Sequence, residues 1–111
     1  WCIFQPHTYT RTKSFLNDFA SSFDNADAVI VADIYAAREK DNGEINSQTL
    51  AEEINRVSGN AIYMSDFKSI ASYIKDNASP GDIVITMGAG DIYKVGDMLL
   101  KQNLMNEKSA V

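Results

Sequence analysis

Four short apolar runs alternate with four amphipathic patterns along the 111 residues, and this alternation restricts the fold more than any other feature of the chain. The runs are Trp1 to Phe4, Ala28 to Asp33, Ala61 to Met64 and Asp82 to Met87. Most of each run is continuously apolar, which predicts strands buried on both faces. Between the runs, apolar residues recur at helical spacing. Phe15, Leu16, Phe19, Ala20 and Phe23 predict one stripe on a first helix. Ser47 is a candidate N-cap for a second helix, with Leu50, Ala51, Ile54 and Val57 inward, Glu52, Glu53 and Arg56 in water, and Gly59 at its end. Asp66 is placed to cap a third helix that buries Phe67, Ile70, Ala71 and Ile74, and a fourth runs from about Asp91 with Ile92, Val95, Met98 and Leu99 inward. Ser79-Pro80-Gly81-Asp82 marks a turn before the last strand.

Strands joined through helices run parallel, and right-handed crossovers place helices on both faces of one sheet. The expected fold is therefore α/β: a three-layer, doubly wound, mainly parallel sheet in Rossmann-like β-α-β-α-β-α-β-α order. Loops leaving the carboxyl ends of such strands share one edge, where these sheets bind ligands. Here they are Gln5 to Thr10, Ile34 to Asn46, Ser65 to Asp66 and Gly88 to Asp91.

Composition removes several function classes. Ten Lys and Arg against fifteen Asp and Glu give a formal charge of −5, which argues against a nucleic-acid surface. The single cysteine, Cys2, excludes an internal disulfide and a multi-cysteine zinc site, and is expected to be a small buried residue. No apolar run approaches the about 20 residues that a membrane-spanning helix needs. The opening residues lack a basic flank, a long apolar stretch and an initiator Met, so the chain is expected to be a piece of something longer. A chain of this length buries roughly two-thirds of its unfolded surface, enough for one core without disulfides or a structural metal.

The chemistry concentrates on the predicted edge. Gln5-Pro6-His7-Thr8-Tyr9-Thr10-Arg11-Thr12 leads into the first helix, and Arg11 and Lys13 oppose the preference of a helix start for acidic residues. A bound carboxylate or phosphate would compensate, with Arg11 as a planar two-pronged donor and His7 as a second contact. The alternative is that Thr8 or Thr10 caps the helix while Arg11 and Lys13 lie in water or pair with an acid such as Asp33. The long second loop carries Asp33, Tyr35 and Arg38; Asp33 either orients Arg11 or a ligand amine, or caps the loop backbone. Gly88-Ala89-Gly90-Asp91 is a glycine turn opening onto a helix, but Tyr93 stands where a dinucleotide motif has its third glycine, and Asp91 would repel phosphate. Close packing against a partner domain or an ordinary tight turn accounts for it. One histidine makes no metal site, and no phosphate loop, nucleophile elbow or H-E-x-x-H occurs. The sequence assigns no catalytic residue and no metal ligand.

Three motifs in order carry a resemblance: Phe4-Gln5-Pro6-His7-Thr8-Tyr9-Thr10-Arg11-Thr12, Asp33-Ile34-Tyr35-Ala36-Ala37-Arg38-Glu39 and Thr86-Met87-Gly88-Ala89-Gly90-Asp91-Ile92. Together they resemble the Mur ligases, and within them the C-terminal domain of those that join L-alanine to UDP-N-acetylmuramate. The resemblance implies a three-domain cytoplasmic enzyme of peptidoglycan synthesis, with residues 1–111 as one amino-acid-binding domain whose first segment is missing. It implies ATP and Mg2+ held by the central domain, an acyl phosphate attacked by the alanine amine, and N-terminal and central domains as partners. The chain alone is then expected to bind no cofactor and to be inactive. Members of the family usually have Arg directly after the His; Thr8 stands there in this chain. A tyrosine and a histidine of the family's pocket fall before Trp1. The resemblance matches Arg11 to the amino-acid carboxylate, and Thr8 at the other arginine's place either weakens that recognition or transfers part of it to His7, Thr8 or Arg38. Taken with the reading of the residues, His7, Thr8 and Arg11 are the candidate substrate contacts, Asp33, Tyr35 and Arg38 the candidate supports, and Gly88 and Gly90 a loop or domain contact. Rival readings are a stand-alone α/β module that binds a small anion without catalysis, and a structural interaction domain.

Overall fold

The computed structural model describes the backbone of residues 1–109 and the side chains of residues 1–101. The elements follow as β1 (Cys2–Phe4), α1 (Tyr9–Ser14), α2 (Leu16–Ala20), β2 (Val29–Val31), α3 (Ser47–Val57), β3 (Ala61–Tyr63), α4 (Phe67–Asn77), β4 (Ile85–Met87) and α5 (Tyr93–Ser109). The four strands form one parallel sheet in the order β3-β2-β1-β4. Ile3 is opposite Ile30 on one side and Thr86 on the other. This is the doubly wound α/β architecture that the alternation predicts. Of the single domain expected over residues 1–111, residues 110 and 111 lie outside the described part.

Two cores flank the sheet. Alternate residues of the central strands point to opposite faces, so Cys2, Val29 and Val31 meet Ala20, Phe23, Leu50, Ala51 and Ile54 on the side of α2 and α3. Ile3 and Ile30 meet Ile70, Ile74, Ile92 and Val95 on the side of α4 and α5. Cys2 is buried as expected, and burial pushes its thiol pKa up, away from the reactive thiolate. The connection after β1 runs to the first face, whereas the chain after β4 runs to the second. The two loops therefore part between β1 and β4, at the switch point where sheets of this kind open a crevice.

The structure corrects the sequence reading in detail. Only the central strands are buried on both faces; Ile62, Tyr63, Ile85 and Met87 are exposed because β3 and β4 are the outer strands, and Ile83 is exposed in the connection just before β4. The single first helix is two short ones broken at Phe15, whose φ of −111° and ψ of 22° leave the helical region. Phe15 is consequently 48% exposed, and Phe23 reaches the core from beyond the helix. Asn46, not Ser47, caps α3, accepting from the Thr49 N–H at 2.9 Å. Ser47 is buried one position later, and its hydroxyl donates to the Ala32 carbonyl at the end of β2. Val57, on the last turn of α3, is 59% exposed. Asp66 caps α4 as expected, accepting from the Ser69 N–H at 3.1 Å.

Candidate functional site

At the switch point the Gln5 N–H donates to the Met87 carbonyl at 2.9 Å, extending the β1–β4 pairing by one residue. The Gln5 side chain is buried, and its Nε2 donates to Asp91 Oδ1 at 2.7 Å, joining the first loop to the last. Its Oε1 is buried without a partner among the described residues. The glycines of the last loop face this side chain. A Cβ on Gly90 would fall 2.5 Å from Tyr35 Cγ and 2.8 Å from Gln5 Oε1, and one on Gly88 would fall 3.0 Å from Gln5 Cβ. Both glycines thus allow close packing on this chain's own Gln5, and Gly90 also on Tyr35.

Beyond Pro6 the first and second loops run side by side as a single parallel bridge between His7 and Tyr35. The Tyr35 N–H donates to the Pro6 carbonyl and the Thr8 N–H to the Tyr35 carbonyl, each at 2.8 Å. The two rings stack with centroids 5.7 Å apart and planes 16° from parallel. Tyr35 therefore contacts the backbone at Gly90 and also stacks on His7, whose Nδ1 is buried and has no partner among the described residues.

Thr8 has φ +63° and ψ 149°, a conformation that favours glycine and is costly for a β-branched residue, by about 1–3 kcal/mol. Its neighbours hold it there. Besides its bond to Tyr35, its carbonyl accepts from the Thr12 hydroxyl at 2.7 Å, and its own Oγ1 accepts from the Arg11 N–H at 3.2 Å. Thr8 is thus the cap of α1, as one of the two sequence readings had it.

The anion that the basic first turn asks for comes from within the chain. Glu39 Oε1 accepts from the Tyr9 and Thr10 N–H groups at 2.6 and 3.0 Å, and its Oε2 accepts from the Thr10 hydroxyl at 2.6 Å. Glu39 thus takes up the Tyr9 and Thr10 donors at the helix start and leaves the Arg11 guanidinium out of these bonds. These bonds, the Thr10 hydroxyl's first, hold the Glu39 carboxyl below the usual carboxylate range. Lys13 pairs with Glu44. Asp33 pairs with neither Arg11 nor the loop backbone: it accepts from the Tyr63 hydroxyl, whose pKa that bond raises. Arg11 and Arg38 are both exposed, and neither guanidinium has a hydrogen-bond or ion-pair partner among the described residues.

The family model described as "Mur ligase, glutamate ligase domain" matches residues 1–90, which include the whole sheet and the first, second and last loops up to Gly90. The chain belongs to this family. Three relatives are each named UDP-N-acetylmuramate--L-alanine ligase. The one from Acetivibrio thermocellus is 59% identical over 105 residues, 95% of this chain. Those from Caldanaerobacter subterraneus and Clostridium tetani are 54% and 52% identical, over 91% and 90% of the chain. The chain spans about 22% of the length of these relatives.

In this Mur ligase domain the structure brings His7, Thr8, Tyr35 and Gly90 into one contiguous cluster at the carboxyl edge, with Gly88 beside Gln5. Arg11 lies on the first turn of α1, and Arg38 directly precedes the clasped Glu39. Asp33 lies apart, held by Tyr63. Sequence reasoning missed Glu39 and the Gln5–Asp91 bond. A signal for Glu39 was present: α1 has no acid in its first turn, and its free donors needed a carboxylate from some other segment. Among the described residues no group of three or more His, Cys, Asp or Glu could hold a metal ion.

Proposed function

We propose that this chain is the amino-acid-positioning domain of an ATP-dependent, amide-forming ligase that adds L-alanine to UDP-N-acetylmuramate in peptidoglycan precursor synthesis in the cytoplasm. The names of the relatives suggest the reaction. The observation that supports the local role is the exposed Arg11 guanidinium, unpaired among the described residues, on the first turn of α1 at the carboxyl edge of the sheet. In this reading Arg11 takes the alanine carboxylate as a two-pronged donor. His7, braced by Tyr35, is a second contact, and Arg38 adds positive charge from the neighbouring loop. Thr8 cannot substitute for an arginine, because its short side chain is engaged as the helix cap. Holding the amino acid in one orientation can lower a reaction barrier by several kcal/mol without any proton transfer by this domain.

The chain's residues do not fit ATP and Mg2+. The sequence has no phosphate loop, and the described residues hold no cluster of metal ligands. Both are assigned in this reading to a neighbouring domain, and no step involving them is given to this chain. Residues 1–111 then act with N-terminal and central domains, and the isolated chain has no ligase activity. A net charge of −5 disfavours a nucleic-acid partner, and no described helix is long and apolar enough to cross a membrane.

Steady-state kinetics of the full-length enzyme test the role of Arg11. Charge-assisted hydrogen bonds are worth about 1.5–3 kcal/mol, so Arg11→Ala is expected to lower kcat/KM for L-alanine by roughly tenfold to a hundredfold. Unchanged alanine kinetics would remove Arg11 from the site.

A further inference from the structure

We propose that Glu39 is a positioning residue: its carboxylate clasps the second loop onto the first turn of α1 and so fixes where Arg11 and Arg38 present their guanidiniums to the amino-acid carboxylate. This inference rests on the reading of the site given above. It begins from three hydrogen bonds of 2.6, 3.0 and 2.6 Å that one carboxylate makes to two backbone N–H groups and one hydroxyl, across about 30 positions of sequence. They involve the residues immediately before Arg11. They also fix Glu39 itself, so Arg38, whose Cα is about 3.8 Å from that of Glu39, is held within a side chain's reach of the same helix start.

The clasp has a chemical consequence. With the Tyr9 and Thr10 N–H groups committed to Glu39, an arriving carboxylate finds an anion already at the helix tip. Like charges repel, so the ligand is kept outward, where the guanidiniums are the cationic donors. A carboxylate of the protein thereby separates the helix start, which it fills, from the side chains left free for substrate. The other charged tie between these segments, Lys13 to Glu44, is more than half exposed and lies further along both.

The test is made in the full-length ligase with Glu39→Ala, Glu39→Gln and, as a control on the other tie, Lys13→Ala. Glu39→Ala is expected to raise the L-alanine KM at least tenfold while changing kcat, and the KM values for ATP and UDP-N-acetylmuramate, less than threefold. Glu39→Gln keeps acceptor oxygen without the charge and should fall between it and the native enzyme; Lys13→Ala should leave all four constants unchanged. Hydrogen exchange in a peptide covering residues 8–12 should be accelerated by Glu39→Ala and not by Lys13→Ala. An unchanged alanine KM in Glu39→Ala, or constants for all three substrates that worsen together with the melting temperature, overturns the positioning role. Unaltered exchange at residues 8–12 overturns the clasp itself. If Glu39→Ala raises the alanine KM and Arg11→Ala does not, the role given to Arg11 fails, and with it the positioning of Arg11 by Glu39, which leaves Arg38 as the group Glu39 positions; the opposite pattern overturns this inference alone.

Discussion

Thr8 shows how much one residue decides at this edge. Its positive φ turns the chain from β1 into α1, and its hydroxyl caps the helix that carries Arg11. The two effects oppose each other in stability. Relief of backbone strain by glycine should about offset the lost cap and the greater freedom of glycine in the unfolded chain, whereas alanine loses the cap and keeps the strain. Thr8→Gly is therefore expected to melt no lower than the native chain, and Thr8→Ala lower by several degrees, for a loss of about 1 kcal/mol. Thermal melts in which alanine outlasts glycine would refute the strain. At this scale His7, Thr8 and Arg11 stand out in the sequence as candidates because they belong to one polar run at a strand's end. Glu39 was hidden because its donors lie about 30 residues earlier, and no local pattern links a loop acid to a distant helix start.

Among the elements, the last loop depends on close approach, and the starts of α1 and α4 depend on carboxylates. Gly90→Ala would drive a methyl group into the Tyr35 ring, since the Cβ position is 2.4 Å from Tyr35 Cδ2. The ring must leave its stack on His7, at an expected cost of about 1–3 kcal/mol. Denaturant unfolding measures that loss; native stability in Gly90→Ala would contradict the packing. Asp66 at α4, Asp82 at the turn before β4 and Glu39 at α1 all have depressed carboxyl pKa values, chiefly from hydrogen bonds they accept. A depressed carboxyl pKa contributes stability that is complete above the unfolded value of about 4 and is lost as pH falls through the folded one. The melting temperature should hold from pH 7 to about 5 and drop below about 4, with a shallower drop in a Glu39→Gln, Asp82→Asn double variant. An acid limb unchanged in that variant would count against these contacts. Tyr63 has the opposite sense: its raised hydroxyl pKa gives stability below about pH 10 that is lost as pH rises beyond it. The helix stripes were legible from periodicity, yet the break at Phe15 was not, because spacing records which residues face inward and not where the backbone departs from the helix.

For the whole molecule, the alternation of runs and stripes was enough to anticipate a parallel, doubly wound sheet and the edge on which its loops gather. Strand order was not legible. Ile85 and Met87 read as core residues, and they are exposed because β4 is an outer strand. The switch point between β1 and β4 follows from that order and explains why Gln5, Gly88, Gly90 and Asp91 meet although some 85 residues separate them. The same geometry leaves Arg11 and Arg38 unpaired among the described residues and facing outward, while the nearby acids Glu39, Glu44 and Asp91 are bonded to groups of the domain.

The most direct test of the account is the preference of the full-length enzyme for L-alanine over L-alaninamide, which keeps the amine and methyl group but lacks the carboxylate, in the native and Arg11→Ala forms. If Arg11 reads the carboxylate, the native enzyme favours L-alanine strongly in kcat/KM, and Arg11→Ala loses at least tenfold of that preference. An equal preference in both forms would contradict the claim.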